Sequence, residues 1–391
     1  MILGFDIETT TIEKGHVHHP ENFLVSYSFS NGARTGFHYY TDPDFLDVVR
    51  NTLARCTELV GANLKFDIQW LMRNGIEIPD TIKIYDVLLA EHILTGQQSP
   101  MVSLNEVLAG YGIEEKLDVV KGYWEAGVST ENIPVKILEE YNNDDAEKPL
   151  IVRKIQRDLL SEKQLSLLYQ QGQDLLVLAQ TELNGVKFDT ERAKVDHGKY
   201  REQLASVEAE LNAFLPTMPN GVSFNWDSGD QLSALLYGGL IEYSYSESEE
   251  AVYKSGDKKG LPYVRNRWHT VTVEFPRRFD PLAKTEVKKT KDNPDATTRF
   301  YAVDDPTLRQ LRSRSRDNRR LLELLASKSK ITKVVESFNS VHGHIDKYCW
   351  GDYIHSQYNQ NVVRTGRLSS SKPNAQNFAE EIDMCLISRF D

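Results

Sequence analysis

At 391 residues the chain is too long for one ordinary hydrophobic core, so two domains are expected, with room for a third. An apolar fraction of 40% and a charged fraction of 26% belong to a folded globular protein and exclude a disordered one, and no apolar run approaches the roughly 18 residues that cross a bilayer. A net charge of −11 argues against a protein that merely coats nucleic acid, and three separated cysteines, Cys56, Cys349 and Cys385, give neither a disulfide framework nor a zinc site.

Met1 leads straight into a strand without a basic leader, and with the unpaired cysteines this predicts a soluble protein of a reducing cytoplasm. The first stretch, Ile2-Leu3-Gly4-Phe5-Asp6-Ile7-Glu8-Thr9-Thr10, reads as a β-strand. Leu3, Phe5 and Ile7 then point one way, and Gly4, Asp6 and Glu8 the other. Two carboxylates at i and i+2, about 6 to 7 Å apart along a strand, repel each other unless water surrounds them or a cation lies between them. A divalent metal answers that need; a polar face on an edge strand is the ordinary alternative for so short a pattern.

Phe23 to Phe29 and Thr35 to Tyr39 read as strands joined through Asn31-Gly32, a hairpin signal. Asp44 to Arg55 has helical spacing, Leu59 to Asn63 reads as a short buried strand, and Leu64 to Leu71 opens a helix. Strands followed by alternating strand and helix describe a mixed α/β domain. A helix is expected from Pro134 through Ile137, Leu138, Tyr141 and Asp145, with Tyr141 and Asp145 on one face and a kink at Pro149, whose missing N–H leaves the Asp145 carbonyl unbonded. Leu165 to Leu183 is a further helix ended by Asn184-Gly185, and a domain boundary is placed near residue 165. Thr190 to Phe214 reads as a long helix, and residues 244–298, rich in Lys, Arg, Gly and Pro, read as loops and short strands. Arg309, Arg312, Arg314, Arg316, Arg319, Arg320, Lys328, Lys330 and Lys333 make a nearly single-signed run on a helical pattern, which in an acidic protein points to phosphate contact.

Asp6 and Glu8 on a strand, Asp67 in the turn after Asn63, and Asp145 on a helix supply four carboxylates from three segments. Mg²⁺ and Mn²⁺ prefer such oxygen ligands, and this many can hold two ions. Two ions about 4 Å apart can activate a water, clamp a phosphodiester and stabilise a departing 3′ oxygen. Tyr141, one helical turn before Asp145, is placed to orient that water. Taken singly, Tyr141 is a core aromatic and Asp67 a solvent-facing helix acid.

As an ordered set, D-I-E at 6–8, N-L-K-F-D at 63–67 and Y-N-N-D-D at 141–145 resemble the three exonuclease motifs of the DEDD superfamily in its tyrosine-bearing branch, whose pattern selects Asp145 over Asp144. Farther on, Glu182 to Asp189 resembles the segment that opens the polymerase region of family A DNA polymerases, Phe224 to Ser228 with Leu236 to Gly239 resembles their thumb, and T-G-R-L-S-S-S followed by P-N-A-Q-N at 365–377 is the strongest match. The resemblance implies an α/β, RNase H-like (DnaQ-like) exonuclease domain with a mixed sheet over residues 1–165. A mostly helical partial thumb and N-terminal palm over 166–391 would follow it. It implies catalysis by Asp6, Glu8, Asp67, Tyr141 and Asp145, with the four acids binding two Mg²⁺ or Mn²⁺ ions. Asn63, Arg364, Arg367, Gln376 and Asn377 would contact nucleic acid, Arg367 at phosphate or the minor groove.

The activity so implied is 3′-to-5′ proofreading hydrolysis of DNA in replication, on a single-stranded 3′ end or a primer-template, without a membrane partner. Family A polymerases carry their polymerase aspartates after this point, so a separate C-terminal polypeptide, or a truncated chain, is expected. An exposed apolar patch over 378–391 is expected with it, and the compact style favours a phage origin and hence a host bacterial cytoplasm. Two other readings compete: an RNase D-like RNA exonuclease, against which the thumb and T-G-R matches count, and a DNA-gripping assembly subunit with an idle nuclease, against which the intact acids count.

Overall fold

The computed structural model describes residues 1–98, 102–115, 119–252, 254–256, 260–282, 301–342 and 349–388. The chain divides into two compact units, residues 1–194 with 337–391, and residues 195–336. The compact units therefore divide the chain elsewhere than near residue 165, which lies inside a helix.

The first unit is built on a five-stranded mixed sheet of β1 (Ile2–Thr9), β2 (Leu24–Ser30), β3 (Thr35–Tyr39), β4 (Glu58–Gly61) and β5 (Lys83–Asp86), in the order β3-β2-β1-β4-β5. β1 pairs antiparallel with β2 and parallel with β4, so it is central and both its edges are paired. Leu3, Phe5 and Ile7 are buried as their alternation predicts, and Phe5 stacks on Phe29 at 4.8 Å. On this face α1 (Phe45–Leu53) adds Phe45, Val49 and Leu53, and α2 (Leu64–Arg73) adds Ile68 and Leu71, to one core. Burying each of these large apolar side chains contributes about 1.5–3 kcal/mol. After β5 come α3 (Val87–Leu94), α4 (Leu104–Gly110) and α5 (Val119–Glu125).

The other face of β1 meets α6 (Val135–Leu159), whose buried residues Leu138, Tyr141, Asn142, Asp145, Pro149, Val152 and Gln156 recur every three or four positions. The close approach depends on Gly4: a Cβ there would lie 2.0 Å from the Ala146 carbonyl oxygen. The helix continues across Pro149 as one 25-residue element, so the expected kink does not end it; the proline ring sits on the buried stripe instead. α7 (Glu162–Asn184), opened by a Ser161/Gln164 capping box and closed at Gly185, packs against α2 and β5.

The remaining segment of this unit, residues 349–388, returns to α7 and to β6 (Val186–Lys187). Gln357–Asn359 pairs antiparallel with Ser369–Ser371, and the turn Ala375–Asn377 follows, capped by Asn374. Near the expected C-terminal patch, Met384 and Ile387 are exposed whereas Ile382 and Cys385 are buried, and Leu386 bridges to Phe188. Residues 389–391 lie outside the described residues.

The second unit packs Leu211 of α8 (Thr190–Asn212) with Phe224, Trp226 and α9 (Gly229–Tyr237) around the base of a long hairpin, β7 (Gly239–Val252) and β8 (Pro262–Phe275). This hairpin corrects the expectation of loops and short strands over 244–298: its strands pair in register over 14 residues each. Residues 283–300 of that region lie outside the described residues. α10 (Asp305–Leu308) precedes α11 (Arg316–His342), which buries Leu321, Leu324 and Leu325 in the same core. Among the described residues no helix is long and apolar enough to cross a membrane.

Candidate active site

Asp6 and Glu8 leave β1 on the face that α6 covers, and Asp145 meets them from the buried stripe of that helix. One carboxylate oxygen from each lies within 4.8 Å of the others. Three hard oxygen donors at this spacing form a set that suits a small divalent cation. Asp144, the neighbouring acid, turns away into an ion pair with Lys148 at 2.7 Å.

Asp67 completes the site from behind. It lies in the first turn of α2 and is nearly fully buried, and its Oδ1 accepts the Ile7 N–H at 3.0 Å, between the two acids of β1. Burial, and then the charge of Asp6, holds the Asp67 carboxyl well above the ordinary carboxylate range. It abuts the trio, whose clustered oxygens come from Asp6, Glu8 and Asp145. Its turn is pinned by Asp86, whose Oδ2 accepts Leu64 N–H at 2.8 Å and whose Oδ1 accepts Leu88 N–H at 2.8 Å. One buried carboxylate thus caps the starts of both α2 and α3.

Tyr141 lies one turn before Asp145, and its hydroxyl hydrogen-bonds the Asp145 carboxylate. Burial, followed by the charges of Asp145, Glu8 and Asp6, pushes its pKa up, so the phenol keeps its proton as a donor. Trp124 stands edge-on to its ring at 6.1 Å, in a satellite core with Val120, Ile133 and Leu138.

Sequence reasoning missed a further set. Asn142 Nδ2 donates to Asp6 Oδ2 at 2.7 Å and to the Asp6 carbonyl at 3.2 Å, while Ser26 Oγ donates to Asn142 Oδ1 at 2.9 Å. Ser26 thereby fixes which way the amide faces, and the amide fixes the Asp6 carboxylate. Asn142 stands inside Y-N-N-D-D, one residue after Tyr141 on the same buried stripe, and that placement is the signal that could have found it.

Asn63 sits at the start of α2 with φ +62°, exposed, and lines a cleft of about 610 Å³ together with Lys65, Phe66, His16, His18 and Lys372. His18 stacks on His355 at 3.6 Å; burial, and then His355, lower its pKa to about 3, so these rings stay neutral. Arg364, Arg367, Gln376 and Asn377 are exposed on the 349–388 segment.

No protein-family model matches the chain. The DNA polymerase of Bacillus phage SP01 is 24% identical over 353 residues, which are 83% of this chain and 34% of that protein. DNA polymerase I of Synechocystis sp. is 24% identical over 323 residues, 81% of this chain and 26% of that protein. The chain is similar to family A DNA polymerases over most of its length. It spans about a quarter to a third of the length of these relatives. The POL domain of Pol1 from M. smegmatis, solved in complex with DNA primer-template and dNTP, matches with a TM-score of 0.66 over 98% of this chain and 55% of that chain, at 16% identity. That likeness is one of fold.

Proposed function

We propose that residues 1–165 form a metal-dependent 3′-to-5′ DNA exonuclease of the DEDD type, on an RNase H-like sheet, and that residues 166–391 supply thumb and palm surface for a primer-template. The observation that carries this reading is the convergence of Asp6, Glu8 and Asp145 on one point, with Tyr141 bonded to Asp145 and Asp67 behind them.

The donor set fits Mg²⁺ or Mn²⁺: it is all-carboxylate and hard. Asp6, Glu8, Asp67 and Asp145 would hold two such ions, which when bound supply an activated water and charge stabilisation at the departing 3′ oxygen. The chain's own residues then do the positioning. Asn142 and Ser26 hold Asp6 in one orientation. Tyr141, whose pKa burial and the neighbouring carboxylates push up, keeps its proton and serves to orient the attacking water. Asn63 and the neighbouring cleft, with Phe66 and the exposed Lys372, would take the unpaired strand, where ring contacts and cations tolerate any base sequence. An unpaired terminus is preferred because a duplex end cannot enter such a cleft.

The test is incubation of the chain with 3′-labelled single-stranded DNA, and in parallel RNA, with Mg²⁺, with EDTA, and with Asp6→Ala. Terminal nucleotides are expected from DNA with Mg²⁺ only, and Asp6→Ala should abolish their release. Release that persists in EDTA or in the variant overturns the metal assignment, and release from RNA alone favours an RNase D-like activity.

A further inference from the structure

Glu182 is a buried carboxylate to which the acid site gives no role. It lies at the end of α7, 5% exposed, and three donors converge on it. Lys65 Nζ and the Tyr358 N–H both reach Oε1 at 2.6 Å, and Gln69 Nε2 reaches Oε2 at 2.6 Å. Lys65 Nζ also donates to the Tyr358 carbonyl, and the Glu182 carbonyl lies 2.8 Å from His355 Nδ1. Two of these donors, Lys65 and Gln69, stand on α2 two residues before and two residues after Asp67. The third, the Tyr358 N–H, belongs to the returning segment, as does His355. Lys65, Gln69, Glu182, His355 and Asn359 line the same cleft as Asn63.

We infer that Glu182 is a positioning residue that clamps segment 355–359 against α2 and so sets the shape of the cleft behind the reacting 3′ nucleotide. The start of α2 is pinned independently, by Asp86 on the Leu64 N–H and by the Ile7 N–H on Asp67. Loss of Glu182 therefore loosens the far wall of the cleft and leaves the carboxylate site in place. A long substrate feels the change and a one-nucleotide substrate does not. The inference rests on the nuclease reading above and adds to it the residue that holds the strand-binding wall.

The experiment compares Glu182→Ala, Glu182→Gln and the unaltered chain on two substrates with Mg²⁺: a short single strand, and the nitrophenyl ester of a 5′-nucleotide, which occupies the acid site alone. In Glu182→Ala the KM for the strand should rise by at least about tenfold while its kcat, and the ester's kcat/KM, change by less than about threefold. Glu182→Gln, which keeps acceptors for Lys65 and Tyr358 once the Gln69 amide turns over, should restore most of the strand KM. Should the alanine variant fail to fold because Lys65 is left half-buried without its counter-charge, the double variant Lys65→Met/Glu182→Met removes both charges and should show the same split. An unchanged strand KM, an equal loss on both substrates, or no recovery with glutamine overturns the inference. Failure of the unaltered chain to hydrolyse either substrate overturns the nuclease reading beneath it.

Discussion

At the scale of single residues, the site is a problem in crowded negative charge, and each neighbour of the acids has a separable effect. Asn142→Leu removes the amide that aligns Asp6 and should lower the hydrolysis rate by about 10–100-fold, the range for losing an outer hydrogen bond on a metal ligand; Ser26→Ala should cost less, since the amide keeps its bonds to Asp6. Tyr141→Phe should lower kcat and leave KM near its starting value, because the phenol contacts Asp145 and not the cleft. Asp67 gives a pH prediction. Its folded pKa lies above its unfolded one, so the metal-free protein binds more protons than the unfolded chain across that window. Its contribution to stability is complete below the unfolded value and is lost as pH rises through the folded one. The melting temperature of metal-free protein should fall over that interval, Asp67→Asn should flatten the fall, and saturating Mg²⁺ should abolish it. A melting temperature that rises over the same interval contradicts the burial of this acid. The acids and Tyr141 were legible in the sequence because D-I-E and Y-N-N-D-D are local patterns. Asn142 was not, because its meaning depends on Ser26, more than a hundred residues away.

At the scale of elements, the site exists because α6 lies unusually close to β1, and Gly4 is what permits it. Gly4→Ala would drive a methyl into the Ala146 carbonyl, forcing the helix outward and taking Asp145 away from Asp6 and Glu8. The variant should lose about 1–3 kcal/mol by denaturant titration, as overpacked cores do, and lose nuclease activity out of proportion to that. Normal activity would show that the helix need not sit so near. The alternation of β1 and the 3-to-4 spacing of α6 were readable because each follows its own period. The hairpin was harder to read. Tyr243, Ser244, Tyr245 and Ser246 do alternate, but the Lys- and Gly-rich stretch around 253–261 and the charged run Arg265, Arg267 and His269 mimic a loop. The cross-strand pairs Glu247–His269 and Glu249–Arg265 that accommodate those charges appear only once the register is known. Pro149 is tolerated inside the helix: its ring lies on the packed stripe and the helix runs on through it.

At the scale of the whole molecule, an acidic chain carries both a carboxylate site and a basic helix, so the distribution of charge says more than the net −11. Not all of the basic run is available to phosphate. Lys328 is buried against Asp227 at 2.6 Å, and Arg320 pairs with Glu210. Lys330 and Lys333 are exposed on α11. Lys330→Glu/Lys333→Glu should weaken duplex binding and reduce the salt slope by about 2 if both lysines meet phosphates; an unchanged slope would assign them to a solvated face. The return of residues 349–388 to the first unit was not legible in the sequence, because the contacts that bring it there, such as Tyr358 on Glu182, join residues 176 apart. Four acids that form one two-metal site bind a fixed number of Mn²⁺ ions, which electron paramagnetic resonance counts. The expected result is two ions per chain, with binding lost in Asp6→Asn and in Asp145→Asn. Binding that is absent from the unaltered chain, or that survives both substitutions, would contradict it.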